Sequence, residues 1–162
     1  METKSEKKLK ETDIPGVIAP PLLIFLSGLL IGGLISWFFP IPFLPTVLGY
    51  AMGGILVVSG LGIIFVANLM MTKANTNIEP WKPTTALLST GIYGKSRNPV
   101  YAALVMVYLG ISFVINSFWL LPPLIPVLIV MHFGVILREE RYLEGKFGDD
   151  YREYSGRVRR WI

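Results

Sequence analysis

Two short stretches of this chain hold most of the side chains able to do chemistry. The first, residues 90–101, reads Thr90, Gly91, Ile92, Tyr93, Gly94, Lys95, Ser96, Arg97, Asn98, Pro99, Val100, Tyr101. The second opens with Arg138, Glu139, Glu140, Arg141, Tyr142 and Leu143 and continues through Phe147, Gly148, Tyr151 and Tyr154. A carboxylate such as Glu139 can accept hydrogen bonds from hydroxyls or an amine. A guanidinium such as Arg97 or Arg138 can orient an anion in bidentate fashion. Each stretch alone has an ordinary explanation, because Gly and Pro shape loops while Arg and Glu mark a water boundary. The chain has no cysteine, which excludes disulfides, thiolate metal sites and a cysteine nucleophile. Its one histidine, His132, lies in an apolar run, where a proton relay is one reading and a hydrogen bond to a neighbouring helix the more ordinary one.

The elements that must position these stretches are membrane helices. Of 162 residues, 52% are hydrophobic and 16% charged, against about 25% charged in an ordinary soluble domain. Residues 14–72 contain no Asp, Glu, Lys or Arg over 59 positions, and residues 98–137 none over 40. A crossing needs about 20 predominantly apolar residues, so each block holds two. The expected fold is an all-α integral membrane protein, a four-helix transmembrane bundle followed by an amphipathic cytoplasmic helical segment. One domain, 1–162, accounts for the whole length, with residues 1–16 as a cytoplasmic N-terminal segment.

All 15 basic residues fall outside the two apolar blocks: Lys4, Lys7, Lys8 and Lys10 before the first, four between the blocks, and seven after the second. The turns within the blocks, near 40–45 and 115–118, carry none. Four crossings then put every basic group on one side, and retention of Lys and Arg in the cytoplasm makes both termini cytoplasmic. Acidic residues accompany the basic ones, so the net charge of +4 describes solvated mixed segments and not a nucleic-acid arm. A secretory signal is not expected, since the first apolar run ends Trp37, Phe38, Phe39, Pro40 with no small-residue cleavage site. With the ending Arg160, Trp161, Ile162, no prenylation box is expected.

The expected crossings are 17–39, 44–71, 99–115 and 119–137. Pro40, Pro42 and Pro45 form the first turn, and Pro80, Pro83 and Pro99 punctuate the polar loop 75–98. Pro122, Pro123 and Pro126 make the start of the fourth crossing kinked or irregular. Gly28, Gly32 and Ser36, and likewise Gly49 and Gly53, recur every fourth residue. That spacing lets helices approach closely, within one bundle or, less ordinarily, between two copies. After Arg138, Phe147, Tyr151, Tyr154 and Val158 form one apolar stripe, which either lies on the membrane or folds back over the helix ends. Antiparallel packing of the last two crossings brings the two chemistry-bearing stretches together at the cytoplasmic end.

Taken together, Gly91-Ile92-Tyr93, Arg97-Asn98-Pro99-x-Tyr101, Glu139-Glu140-x-x-Leu143, Phe147-Gly148 and Tyr151-x-x-Tyr154 resemble the isoprenylcysteine carboxyl methyltransferase family and the related phospholipid N-methyltransferases. The resemblance covers residues 85–162, including the ending Val158, Arg159, Arg160, Trp161. Asn98 stands where animal and fungal prenylcysteine enzymes have His, and Val135 where they have Arg; Asn98 is closer to the phospholipid enzymes and to many prokaryotic relatives. The resemblance implies an S-adenosylmethionine-dependent methyltransferase whose partners are the lipid bilayer and a hydrophobic or lipid-like acceptor. It implies no metal.

By resemblance, the cofactor-binding positions map to Thr85, Ala86, Leu87, Leu88, Tyr93, Asn98, Pro99, Val100, Tyr101 and Glu139, with backbone amides of the Gly91 loop available to the cofactor's carboxylate. Tyr93 and Tyr101 offer ring faces to adenine or to the sulfonium. Arg97 or Arg138 would orient a carboxylate acceptor, and Glu140 or His132 would take the proton from an amine or thiol acceptor. The membrane would be the plasma membrane in a prokaryote and the endoplasmic reticulum in a eukaryote. Two other classes share the hydropathy: a sterol-reductase-like enzyme using NADPH, and a non-catalytic membrane subunit of the same fold.

Overall fold

The computed structural model describes residues 13–77 and 81–161, all helix, turn and loop with no strand. Lys4, Lys7, Lys8, Lys10 and Pro80 lie outside the described residues. Helix α1, Pro21–Phe38, begins with proline in its first turn, where the missing N–H has no partner to lose. Helix α2, Thr46–Lys73, follows Pro45 and runs 28 residues, about 42 Å at 1.5 Å per residue. Helix α3, Pro99–Ile115, again starts on proline and occupies the expected span. A 3-10 turn, Phe118–Leu120, precedes α4, Leu124–Met131. One π-helical turn, His132–Ile136, then leads into α5, Leu137–Phe147, and α6 is Asp149–Arg157.

Three helical stretches, Pro21–Phe38, Thr46–Lys73 and Phe118–Phe147, are long and apolar enough to cross a membrane, and α3 is a shorter apolar helix beside them. The chain is a membrane helical bundle. The start of the fourth crossing is irregular, as its prolines require; Pro126 itself sits in the first turn of α4 and breaks nothing. The expected end of the crossing at 137 coincides with the end of the uncharged run, and the amphipathic helix expected from Arg138 follows it without a break. With no Gly or Pro between Val135 and Glu144 the helix continues to Phe147. It stops at Gly148, whose φ of +54° suits glycine.

Close glycine contacts hold the bundle from within. A Cβ added to Gly53 would lie 2.6 Å from the Gly110 carbonyl of α3, and one on Gly49 would lie 2.7 Å from the Phe113 carbonyl. Gly28 and Gly32 lie against Val127 and the backbone of Trp119 and Leu120. The fourth-residue repeat is therefore used for packing inside one bundle. At the turn end, Asn116 in left-handed conformation accepts the Phe43 and Leu44 amides at 3.2 and 3.0 Å and donates to the Leu44 carbonyl at 2.7 Å. This side chain ties the two turns to each other. The inner faces meet in a core around Phe25, Tyr101, Tyr108, Met131 and Val135. Outward, α1 and α2 expose Leu30, Leu34, Val47, Ile55 and Val58, apolar surface suited to lipid.

The tail folds back. Tyr151, Tyr154 and Val158 are buried, with Leu87, Leu143 and Phe147 packed on them. The stripe is shared by two helices with a bend at Gly148, not carried by one.

Candidate functional site

At the charged end, opposite the joined turns, the start of α3, the start of α5, residues 76–77 and 84–93 of the connecting loop and the tail surround one cavity. The Gly91–Gly94 turn is 3-10, and Gly91 at φ +60° reverses the chain against Met70. The reversal drops Tyr93 inward, where its carbonyl accepts the Tyr154 hydroxyl at 2.8 Å. The tail runs back beside α3: the Arg97 amide donates to the Arg159 carbonyl at 2.9 Å, and Asn98 Nδ2 to the Arg160 carbonyl at 3.0 Å. Loop and tail thus brace the α3 N-terminus from both sides. Thr76 folds the loop itself, its hydroxyl accepting the Thr85 and Ala86 amides at 3.0 and 3.4 Å.

The adjacent carboxylates of α5 have different surroundings. Glu140 is clamped by two guanidinium groups. Arg160 donates from Nε and Nη2, each at 2.8 Å, and Arg97 Nη1 lies 3.2 Å away. Glu139 faces the cavity and accepts the Tyr101 hydroxyl at 2.6 Å. Glu139 lies two residues beyond the uncharged run. Burial pushes its carboxyl up to about 7; the Tyr101 hydrogen bond opposes this, and the charge of Glu140 adds to it. The Tyr93 phenol is also held well above its ordinary range, by burial and then by the Tyr154 and Glu139 charges. Two buried polar atoms here, the Tyr93 hydroxyl and Arg97 Nε, have no hydrogen-bond partner. Buried polar groups are paired in the great majority of cases, so orphans beside a cavity mark places for ligand atoms.

Of the residues named from sequence, Ala86, Leu87, Leu88, Tyr93, Arg97, Asn98, Pro99, Val100, Tyr101, Glu139 and Glu140 line this cavity. Thr85, Gly91 and Arg138 do not. Thr85 donates its hydroxyl to the Asn75 carbonyl at 2.6 Å and shapes the loop. Gly91 makes the turn that places Tyr93. Arg138 is exposed and donates to the Gly16 carbonyl at 2.8 Å. His132 lies in the π turn with its ring edge-on to Phe133 and is not part of the cavity wall.

The wall also contains residues that sequence reasoning did not assign, among them Pro15, Met71, Thr76, Asn77, Thr84 and Tyr142. Tyr142 carried a usable signal, being three positions after Glu139 and so on the same helical face. Pro15 and Thr76 carried none, since only chain reversals bring them there.

No solved structure matches this chain. A protein of Haemophilus influenzae, itself described only as uncharacterized, is 51% identical over 47 residues, which is 29% of this chain and 73% of that one. The family profile described as phospholipid methyltransferase matches residues 48–150, from the first turn of α2 through α3, α4 and α5 into α6. The match thus takes in α2, which carries no motif, as well as both walls that hold Tyr101 and Glu139. A bundle of membrane helices with its polar cavity built from those matched elements is a member of the phospholipid methyltransferase family.

Proposed function

We propose that this protein transfers a methyl group from S-adenosylmethionine to a lipid-like acceptor, an amine or a carboxylate, at the charged end of the bundle. That end faces the cytoplasm, and both termini are on the cytoplasmic side, by the distribution of Lys and Arg. Family membership makes the chain a membrane methyltransferase; the donor, the acceptor and the sidedness are the proposal. The reading takes the chain as a single domain.

The residues present suit the donor. Glu139 presents an acceptor to ribose hydroxyls or the methionyl amine, and its negative form favours a positively charged sulfur nearby. Arg97 Nε and the Tyr93 hydroxyl, both without partners, are donors for a carboxylate and for a sugar or base acceptor. S-adenosylmethionine supplies a methyl already made electrophilic by its sulfonium, so the chain needs neither a metal nor a covalent nucleophile. Its own contribution is alignment and dryness. Tyr101 holds Glu139, while Leu87, Leu88, Val100 and Leu143 line the cavity with apolar surface that suits an acyl chain and excludes water. Orientation of this kind is worth up to about 7–11 kcal/mol in well-aligned cases. Glu140, held by two guanidinium groups, positions Arg97 and Arg160 and does not serve as a proton acceptor. In this reading Arg138, exposed and bonded to the Gly16 carbonyl, does not orient the acceptor.

The observation that carries this reading is the half-buried carboxylate of Glu139, fixed by Tyr101 at 2.6 Å on the cavity wall. The test is titration of the full chain in detergent with S-adenosylmethionine, S-adenosylhomocysteine and NADPH. Membranes are then incubated with methyl-labelled donor and separated into lipid, protein and volatile fractions. Binding of the first two compounds and label in the lipid fraction are expected. Binding of NADPH alone overturns the proposal, and binding of none of the three favours a non-catalytic subunit.

A further inference from the structure

The cavity has two walls that are not helical, and one side chain joins them. Residues 13–18 run across α5 as a strap, with Pro15 on the cavity wall. The strap is pinned twice along its length. Arg138 Nη1 donates to the Gly16 carbonyl at 2.8 Å, and the Ile18 amide donates to the Gly134 carbonyl at 3.1 Å. Gly134 belongs to the π turn, where the change of hydrogen-bond register frees a carbonyl for an outside donor. Its lack of a side chain leaves the space that Ile18 fills. The other irregular wall is the loop containing Thr84, Ala86, Leu87 and Leu88.

Tyr142 connects strap, loop and α5. Its hydroxyl donates to Asp13 Oδ1 at 2.9 Å and accepts the Thr84 amide at 3.1 Å and Lys146 Nζ at 3.0 Å. One donor and two lone pairs are thereby all used. Lys146 closes the ring of contacts by donating to both Asp13 oxygens, at 2.7 and 2.6 Å. Asp13 and Lys146 lie outside the cavity wall, whereas the Tyr142 ring is part of it.

We propose that Tyr142 is a positioning residue: its hydroxyl sets strap and loop at their working separation, and the Asp13–Tyr142–Lys146 clasp must open for the polar donor to enter and leave. For the identity of that donor the inference rests on the function proposed above; for the clasp itself it does not. Tyr142→Phe removes three hydrogen bonds and leaves the ring in the wall. The Lys146–Asp13 contacts remain in that variant, so the clasp is weakened and not abolished, and opening becomes easier by on the order of tenfold.

The absence of cysteine makes the readout simple. A single Pro15→Cys substitution reports strap opening through its alkylation rate with a water-soluble maleimide, with no cofactor present. Adding Tyr142→Phe or Asp13→Asn is expected to raise that rate about tenfold. In the otherwise unaltered chain, both changes are expected to raise the KM for S-adenosylmethionine and the release rate of S-adenosylhomocysteine, leaving kcat at saturation near that of the parent. A residue that only supports the fold would lower kcat and thermal stability as well. The paired exchange Asp13→Lys with Lys146→Asp rebuilds the clasp with reversed charge and is expected to restore the slow alkylation. Parent-like alkylation in Tyr142→Phe, or failure of the exchange to restore it, overturns the proposal. If the parent binds no S-adenosylhomocysteine, the donor assignment fails, while the alkylation arm still decides the clasp.

Discussion

Replacing Glu139 by Gln separates a ligand-binding carboxylate from a structural one. The substitution preserves size and the acceptor for the Tyr101 hydroxyl at 2.6 Å, so packing changes little. A hydrogen bond to a charged group contributes about 1.5–3 kcal/mol, hence affinity for S-adenosylmethionine should fall roughly 10- to 150-fold. Stability should move the other way. Burial raises the carboxyl from 4.5 to about 7, so the folded state holds its proton across a window where the unfolded state has lost it. Stability therefore falls as pH rises from about 4.5 to about 7, and above that window the buried charge costs about 3 kcal/mol. The neutral amide of the Glu139→Gln variant carries no such cost, so at pH 8 its melting temperature should equal or exceed the parent's. Since binding a cation favours the ionised form, parent affinity should rise with pH through about 7, and the variant should lack that component. Glu144→Gln is the control: Glu144 pairs with Arg152 at 2.9 Å on the exposed side of α5, where such a pair contributes about 0–1 kcal/mol. Calorimetric titration and thermal melts at pH 6, 7 and 8 decide the matter. Parent-like affinity in Glu139→Gln, or a loss of affinity that merely tracks a loss of stability, refutes the reasoning.

Tyr101→Phe removes the hydrogen bond that lowers the Glu139 carboxyl, so the rise of affinity with pH should move above 7; an unchanged midpoint by titration refutes it. Gly53→Ala puts a Cβ 2.6 Å from the Gly110 carbonyl and should cost about 1–3 kcal/mol through overpacking. Gly54→Ala meets nothing within 4 Å and should be neutral or gain up to about 1 kcal/mol of helix propensity, as read by denaturation in detergent. Labels at Thr3 and Ser155 should both react from the cytoplasm and a label at Phe43 only from outside; opposite accessibility of the termini contradicts the proposed orientation.

Hydropathy and charge are long-range sums over many residues, and they determined the membrane bundle without reference to any contact. Two uncharged blocks of 59 and 40 residues, each long enough for two crossings of about 20, fold as helices in lipid, where each helix pairs its backbone groups within its own segment. Pro99 at a helix start is a local rule of the backbone, and the sequence carries it openly, whereas the start of α1 at Pro21 rather than 17 and the stop at Gly148 are seen only in the folded chain. The motif spacing around Asn98 and Glu139 was likewise legible, because antiparallel packing of two neighbouring helices is the simplest way to join α3 to the last span. Tertiary structure alone decided what surrounds each carboxylate. Glu139 and Glu140 are adjacent and chemically identical, yet a rotation of about 100° per residue around the helix turns one to Tyr101 and the cavity and the other to Arg97 and Arg160. The separation of Arg138 and His132 from the cavity follows from the same rotation and from the π turn, a shift in register that no local residue preference announces. The strap is further still from sequence reasoning. Asp13 meets Lys146 across 133 positions, and only the folded path of the chain, which lays an extended segment against the carbonyl of Gly134, brings those charges together.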